Sequence, residues 1–263
     1  MSETATLDAQ VLLAHALGKP RSWILAHPDA VLDEDQLERF ESLTSRLESG
    51  EPLPYIIGHW EFFSLDFTLS PAVLIPRPET ELLVEYALHW LEAHPARRHI
   101  LEVGTGSGCI AVSLAVNCPD ARVLASDISP EALFVARQNL LRHGVSDRVY
   151  LLQCDLIPPA SRPFDLICAN LPYIPAENLH RLSVAAREPR LALDGGAEGV
   201  IWISRFLERA PFALASGGYI LLEIEASQGS LVAGLAQTAF PQAEVRVLPD
   251  LSGRDRLVSI QTP

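Results

Sequence analysis

The stretch Leu101-Glu-Val-Gly-Thr-Gly-Ser-Gly108 limits what this 263-residue chain can fold into more than any other. An apolar run at 99–103 feeds into three glycines at alternate positions, and a helix-like apolar segment follows. Such glycines permit a tight turn and close approach of backbone to a ligand, the arrangement of a strand-turn-helix unit. Further apolar runs fall at 122–126, 148–152, 164–169 and 218–224, with helix-like segments between most of them. This alternation predicts an α/β fold with a mostly parallel sheet covered on both faces. The last two runs, near 243–248 and 256–261, are joined by the short polar turn Asp250-Leu-Ser-Gly-Arg-Asp255. A connection that short cannot cross over a sheet, so this pair is expected to be antiparallel.

Ahead of the alternating region, residues 6–50 read as helical. Thr6 is expected to cap a segment carrying Leu7, Val11, Leu13, Ala14 and Leu17, ended by Gly18. A later helix places Leu37, Phe40, Leu43 and Leu47 on one stripe, with Asp33 and Gln36 spaced as a capping box and Gly50 past its end. These helices are too few for a large core and predict a small bundle. Residues 61–69 alternate as a strand or hairpin and read as the connection between two domains. Leu74-Ile-Pro-Arg-Pro-Glu-Thr-Glu81 then leads into a helix with apolar pairs at Leu82/Leu83, Tyr86/Ala87 and Trp90/Leu91, and Pro78 suits its first turn. The division expected is a helical domain over 1–60, a hairpin linker over 61–77 and an α/β domain over 78–263.

A hydrophobic fraction of 48% supplies a core, and a net charge of −13 weighs against a protein built mainly to grip phosphates. The four cysteines form no C-x-x-C pair and sit in apolar segments, which predicts buried reduced thiols. The eight histidines show no metal-ligand spacing, so no metal site is expected. Met1-Ser-Glu-Thr lacks the basic start of a signal peptide, and no apolar stretch is long enough to span a bilayer. A cytoplasmic protein with no membrane partner is the expectation.

Asp127 ends the strand-like run Val123-Leu-Ala-Ser-Asp127, where a carboxylate can accept both ribose hydroxyls of an adenosine. The spacing at the glycine loop is G-x-G-x-G, with no Lys-Ser/Thr after it to hold phosphate. A nucleoside without phosphates, carried by a sulfonium amino acid, fits better than a dinucleotide. Gly104, Thr105, Gly106, Ser107, Gly108 and Asp127 are thus candidate binders of S-adenosylmethionine. Asp155 and Leu156, after the third run, are placed either to border the adenine or to cap the following loop.

Phe164-Asp-Leu-Ile-Cys-Ala-Asn-Leu-Pro-Tyr-Ile-Pro175 runs from a buried strand into a loop, at the strand end where open α/β sheets bind ligands. The Asn170 side chain offers one carbonyl acceptor and the Leu171 backbone a second, while Tyr173 supplies an aromatic face. Two acceptors suit the two N–H groups of an amide or an amino-purine. Accepting both aligns the planar nitrogen with the sulfonium methyl and stabilises the charge developing in transfer. Asn170, Leu171, Pro172 and Tyr173 form the candidate catalytic loop; on these residues alone, amide and adenine both stand.

With these segments together, the chain resembles the protein-(glutamine-N5) methyltransferases of the HemK/PrmC type, which modify peptide chain release factors. The resemblance spans Pro54-Tyr-Ile-Ile-Gly58, Leu74 to Glu81, Glu102 to Gly108, Glu188-Pro-Arg-Leu-Ala-Leu193 and Gly253-Arg-Asp-Arg256. It implies a class I methyltransferase sheet of seven strands with the last antiparallel. The N-terminal helical domain would dock the substrate, a release factor whose Gly-Gly-Gln glutamine is methylated, and S-adenosylhomocysteine would be the product. By matched position Gly104–Gly108 and Asp127 hold the cofactor, Asn170 touches both cofactor and substrate, and 170–173 clamp the glutamine amide. Two residues depart from the family's pattern. Leu171 replaces the first proline of Asn-Pro-Pro-Tyr, which also brings the loop close to that of ribosomal-RNA adenine dimethyltransferases, and Glu225 stands where a glycine is usual.

Arg77 and Glu79 read in two ways, as residues of a cleft between domains that seat the substrate loop or as an Arg-Glu pair holding a helix start. Glu188 and Arg190 share that ambiguity. Two other functions remain to be weighed: adenine-N6 methylation of RNA or DNA, and cofactor binding without catalysis. Ile75 to Glu81 and the acidic balance favour release-factor methylation by a monomer that needs no nucleic acid.

Overall fold

The computed structural model describes residues 5–159, 162–181 and 187–263; the tetrapeptide Met1–Thr4 lies outside them. The chain divides into two compact units, Met1–His59 and Trp60–Pro263.

The first unit is helical. It contains α1 (Ala5–Leu17), α2 (Arg21–Ala26), α3 (Glu34–Glu48) and α4 (Leu53–Ile57). Helix α1 starts at Ala5, so Thr6 lies inside its first turn instead of capping it. The capping box forms at α3: the Asp33 carboxylate accepts the Gln36 N–H, and the Gln36 side chain accepts the Asp33 N–H. Leu12, Ala16, Leu43, Tyr55 and Ile56 are buried within this unit, while Leu37, at the edge of the α3 stripe, stays 45% exposed.

A hairpin follows, β1 (His59–Phe62) and β2 (Leu65–Thr68), which from Trp60 onward belongs to the second unit. Its two-residue turn sets Phe63 and Ser64 at φ 51° and 60°, the left-handed geometry that matches strand twist but that glycine or asparagine usually supplies. Carboxylates hold it: Glu81 accepts the Phe63 N–H and Glu61 accepts the Ser64 N–H. The hairpin expected as a linker is part of this unit's core, since Phe62 and Phe67 are fully buried in one cluster with Leu83 and Leu91. Asn139 fastens it further, pairing with both backbone groups of Thr68 while donating to the Ser107 carbonyl of the glycine loop.

Next come α5 (Glu81–Ala93), β3 (His99–Val103), α6 (Cys109–Asn117), β4 (Arg122–Asp127), α7 (Pro130–Arg142), β5 (Val149–Gln153), β6 (Phe164–Ala169), α8 (Ile201–Arg209), β7 (Leu214–Glu223), α9 (Gly229–Ala239), β8 (Glu244–Pro249) and β9 (Asp255–Gln261). Seven strands form one sheet in the order β5-β4-β3-β6-β7-β9-β8. All pairings are parallel except those of β9, which lies antiparallel between β7 and β8. The strand β7 starts at Leu214, four residues before the apolar run, and its register on β6 shifts between Phe164 and Leu166. Strand order reverses between β3 and β6, and ligands of open α/β sheets bind beyond the strand ends at such a point. Val103 pairs with Ala169, which sets Gly104 and Asn170 side by side there.

Candidate functional site

A cavity of about 360 Å³ opens at the carboxyl ends of β3, β4, β5 and β6. Gly104 through Ser107, Asp127, Asp155, Leu156, Asn170, Leu171 and Pro172 all line it, with Arg77, Thr80 and Glu102. Gly108 caps α6 one residue beyond, and Tyr173 is not among the lining residues.

Local forces shape the glycine loop. Gly104, Gly106 and Gly108 have φ of 75°, 54° and 81°. At Gly104 a Cβ would come within 3.3 Å of Leu171 Cδ2, whereas at Gly106 it would meet no described atom within 4 Å. Gly106 therefore leaves a cradle on the cavity wall. The Gly104 and Thr105 N–H groups both donate to the Ser126 carbonyl, and the Gly106 N–H donates to Asp127 Oδ2 at 2.8 Å. Asp127 Oδ1 accepts the Ser129 N–H. Burial raises the Asp127 pKa in spite of these backbone donors.

Glu102, at the root of the loop, is 1% exposed. Its Oε2 accepts the Thr105 hydroxyl and the Ala111 N–H, while its buried Oε1 has no partner among the described residues. Burial pushes its carboxyl up to about 8. An acceptor left open on the wall of a cavity fits a cationic ligand, and S-adenosylmethionine carries an ammonium and a sulfonium. The cradle at Gly106, the open Glu102 oxygen and the Asp127 carboxylate are together the observations with which that cofactor agrees.

Asp155 and Leu156 sit at the mouth of β5. Arg205 donates to the Asp155 carboxylate at 2.9 Å and Arg209 to its carbonyl. Leu156 adopts φ 63°, a left-handed conformation rare for leucine, and its carbonyl accepts the Ser126 hydroxyl. A bulky residue in that region marks a site of stored backbone strain, here on the cavity wall.

On the catalytic loop, Asn170 Nδ2 donates to the Thr80 hydroxyl at 3.1 Å. Leu171 is 4% exposed and its side chain packs with Leu101, Val103 and Ile203 in the core. Leucine thus fills space against the glycine loop at the position where the family pattern has proline. The Tyr173 hydroxyl donates to Glu223 at 3.3 Å, and burial raises its pKa strongly. Gln228 donates to the Tyr173 carbonyl at 2.9 Å, and a Cβ on Gly199 would clash with that same oxygen. Ile174 and Asp194 form a further bridge. The loop is therefore held from three sides. Glu225, the second departure, accepts the Ser227 N–H at 2.8 Å and the Ser227 hydroxyl, closing the turn that leads to α9.

Arg77 pairs at 2.5 Å with Glu188, 111 residues away, and not with its neighbour Glu79. The buried Glu188 also accepts the Ile75 N–H, which fixes the segment ahead of α5. Glu79 is exposed on the 3₁₀ turn Pro78–Thr80, and Arg190 pairs with Asp194. Cys109, Cys118 and Cys168 are buried free thiols. Among the described residues no group of side chains could hold a metal ion, and no helix is long and apolar enough to cross a membrane.

Sequence reasoning missed Thr80, Glu102, Glu223 and Gln228. Glu102 was visible as the first acidic residue of the glycine-loop segment. The other three have no spacing signal, because their partners lie 50 to 90 residues away in the chain.

A family model described as the PrmC N-terminal domain matches residues 1–58, and one described as a methyltransferase domain matches 100–188. The release factor glutamine methyltransferase of Moorella thermoacetica is 44% identical over 97% of this chain and 90% of its own length. That of Bordetella pertussis is 41% identical over 95% of this chain and 93% of its own. The sheet is also similar to that of a Thermus thermophilus 16S rRNA methyltransferase solved with AdoMet and guanosine. There the TM-score is 0.55 at 17% identity, over 78% of this chain and 50% of that one, a likeness of fold. On sequence identity over nearly its full length, the chain belongs to the release factor glutamine methyltransferase family.

Proposed function

We propose that this protein transfers a methyl group from S-adenosylmethionine to the side-chain amide nitrogen, N5, of the Gly-Gly-Gln glutamine of peptide chain release factors. The observation behind it is the juxtaposition of Asn170 and the glycine loop at the strand-order switch, on a chain related over nearly its full length to release factor glutamine methyltransferases. When bound, the cofactor supplies an electrophilic methyl on a sulfonium. Glu102 and Asp127 hold the ammonium and ribose ends, and Gly104 to Gly108 leave room for the ligand against the backbone. Asn170 Oδ1 and the Leu171 carbonyl accept the two amide N–H groups, which orients the nitrogen and favours the positive charge it gains. No strong base is needed before transfer, since the methylated cation loses its proton readily to water. The apolar wall at Leu171, Leu156 and Pro172 keeps the reacting region dry, which strengthens each of these polar contacts.

In this reading the helical unit docks the release factor, and the enzyme works in the cytoplasm as a monomer on a protein, without nucleic acid. The net charge of −13 supports a protein over a polyanion as substrate. Arg77 and Glu79 lie on the segment that would meet the substrate loop, with Arg77 held by Glu188. The test is a competition: equal amounts of purified release factor and ribosomal RNA, with labelled cofactor. Label on the protein alone is expected; label on RNA alone overturns the reading.

A further inference from the structure

Thr80 is 3% exposed, and its hydroxyl accepts the Asn170 Nδ2–H at 3.1 Å. A buried hydroxyl that accepts on one side still needs somewhere to place its own proton. The acceptor beside it is Glu223, whose charged form the Thr80 hydroxyl favours. Glu223 ends β7, one step beyond the Ala169–Leu222 pair, so it stands level with Asn170 on the neighbouring strand. It is 1% exposed; Oε1 accepts the Tyr173 hydroxyl, and the buried Oε2 has no hydrogen-bond partner among the described residues. A carboxylate can only accept. Thr80 has a proton to place and Glu223 Oε2 lacks a donor, so a chain running from the Asn170 amide to Thr80 and on to Glu223 would satisfy both.

We propose that Glu223 is a positioning residue for methyl transfer: through Thr80 it fixes which way the Asn170 amide is turned, reserving Oδ1 for the substrate nitrogen. The inference rests on the proposed function, in which Asn170 accepts a substrate N–H. With Thr80 turned the other way, its hydroxyl would donate to Oδ1, and Asn170 would present NH₂ to an amide that is itself a donor. Two donors face to face repel, and the nitrogen would lose its alignment. Through the Tyr173 hydroxyl the same carboxylate holds the far end of the loop, so both ends answer to one buried group.

The test uses Glu223→Gln, Thr80→Val and Thr80→Ser in the full chain, with release factor and S-adenosylmethionine at pH 8, where the carboxylate form prevails. Kinetics give kcat and KM, and calorimetry gives cofactor affinity. Glu223→Gln and Thr80→Val are expected to lower kcat by about tenfold or more, leaving cofactor affinity and release-factor KM within about threefold. Thr80→Ser keeps the hydroxyl and is expected to keep kcat. The double variant Glu223→Gln/Thr80→Val should be no slower than the slower single one, as for groups acting in one relay.

Wild-type kcat in Thr80→Val overturns the proposal whatever Glu223→Gln does. Losses that multiply in the double variant overturn it too, as does a Thr80→Val whose cofactor affinity falls with kcat, which assigns a purely structural role. Failure of the wild-type protein to methylate release factor would instead refute the functional reading, a separate outcome of the same assay.

Discussion

Glu102 makes stability depend on pH in a direction opposite to that of a salt-bridged carboxylate. Burial pushes its pKa up to about 8 against 4.5 for a free glutamate. The native state therefore holds a proton that the unfolded chain has already released. Its contribution to stability is fully present below pH 4.5 and is lost as pH rises through 8, at about 1.4 kcal/mol per pH unit inside that window. Between pH 5.5 and 8 the loss from this one group is of order 3 kcal/mol. Glu223, pushed up to about 7, works in the same direction over a narrower window.

Glu102→Gln cannot ionise, and the difference between wild type and variant cancels every other titrating group. Thermal unfolding without added cofactor at pH 5.5, 7 and 8.5 should show the wild type losing ground to Glu102→Gln by several degrees as pH rises. A difference that stays constant across that range would show that the carboxyl is not held protonated. The same reasoning has a ligand arm. A cation against the open Oε1 stabilises the charged form, so cofactor affinity should climb with pH towards 8 in the wild type and stay flat in Glu102→Gln.

Asn170→Ala removes one of two acceptors and should lower kcat by about a hundredfold while cofactor affinity persists; unchanged turnover would refute the loop mechanism. Gly104→Ala forces an alanine to φ 75° and sets its Cβ 3.3 Å from Leu171, so unfolding free energy should fall by about 1–2 kcal/mol in a denaturation series. Arg77→Ala strands the buried Glu188 carboxylate and should cost about 3 kcal/mol, read as a lowered Tm. Leu171→Pro restores the family residue but leaves the buried leucine volume unfilled. It should keep the transfer reaction and lose about 1–3 kcal/mol of stability by the same denaturation measurement.

The α/β alternation, the antiparallel pair at the C-terminus and the capping box at Asp33 were legible because each depends on residues close together in sequence. The glycine loop was legible for the same reason: positive φ at alternate positions leaves a local mark. What escaped depends on contacts over long separations. Phe63-Ser64 carries no turn signal, since two carboxylates hold that turn instead of a glycine. The hairpin looked like a linker because its alternation does not reveal that Phe62 and Phe67 sink into the core beside α5. Of the two readings of Arg77, the pairing with Glu79 rested on proximity, yet the chain returns 111 residues later with Glu188 as its partner. The bond from the Tyr173 hydroxyl to Glu223 joins residues 50 apart on different segments, and no local pattern marks it.

The most direct test of the central claim is residue-level mass spectrometry of a release factor incubated with this protein and S-adenosylmethionine. One methyl group on the side-chain amide of the Gly-Gly-Gln glutamine, absent when Asn170→Ala replaces the wild type, is the predicted result. An unmodified glutamine under conditions where the protein binds the cofactor and the release factor is otherwise intact would contradict it.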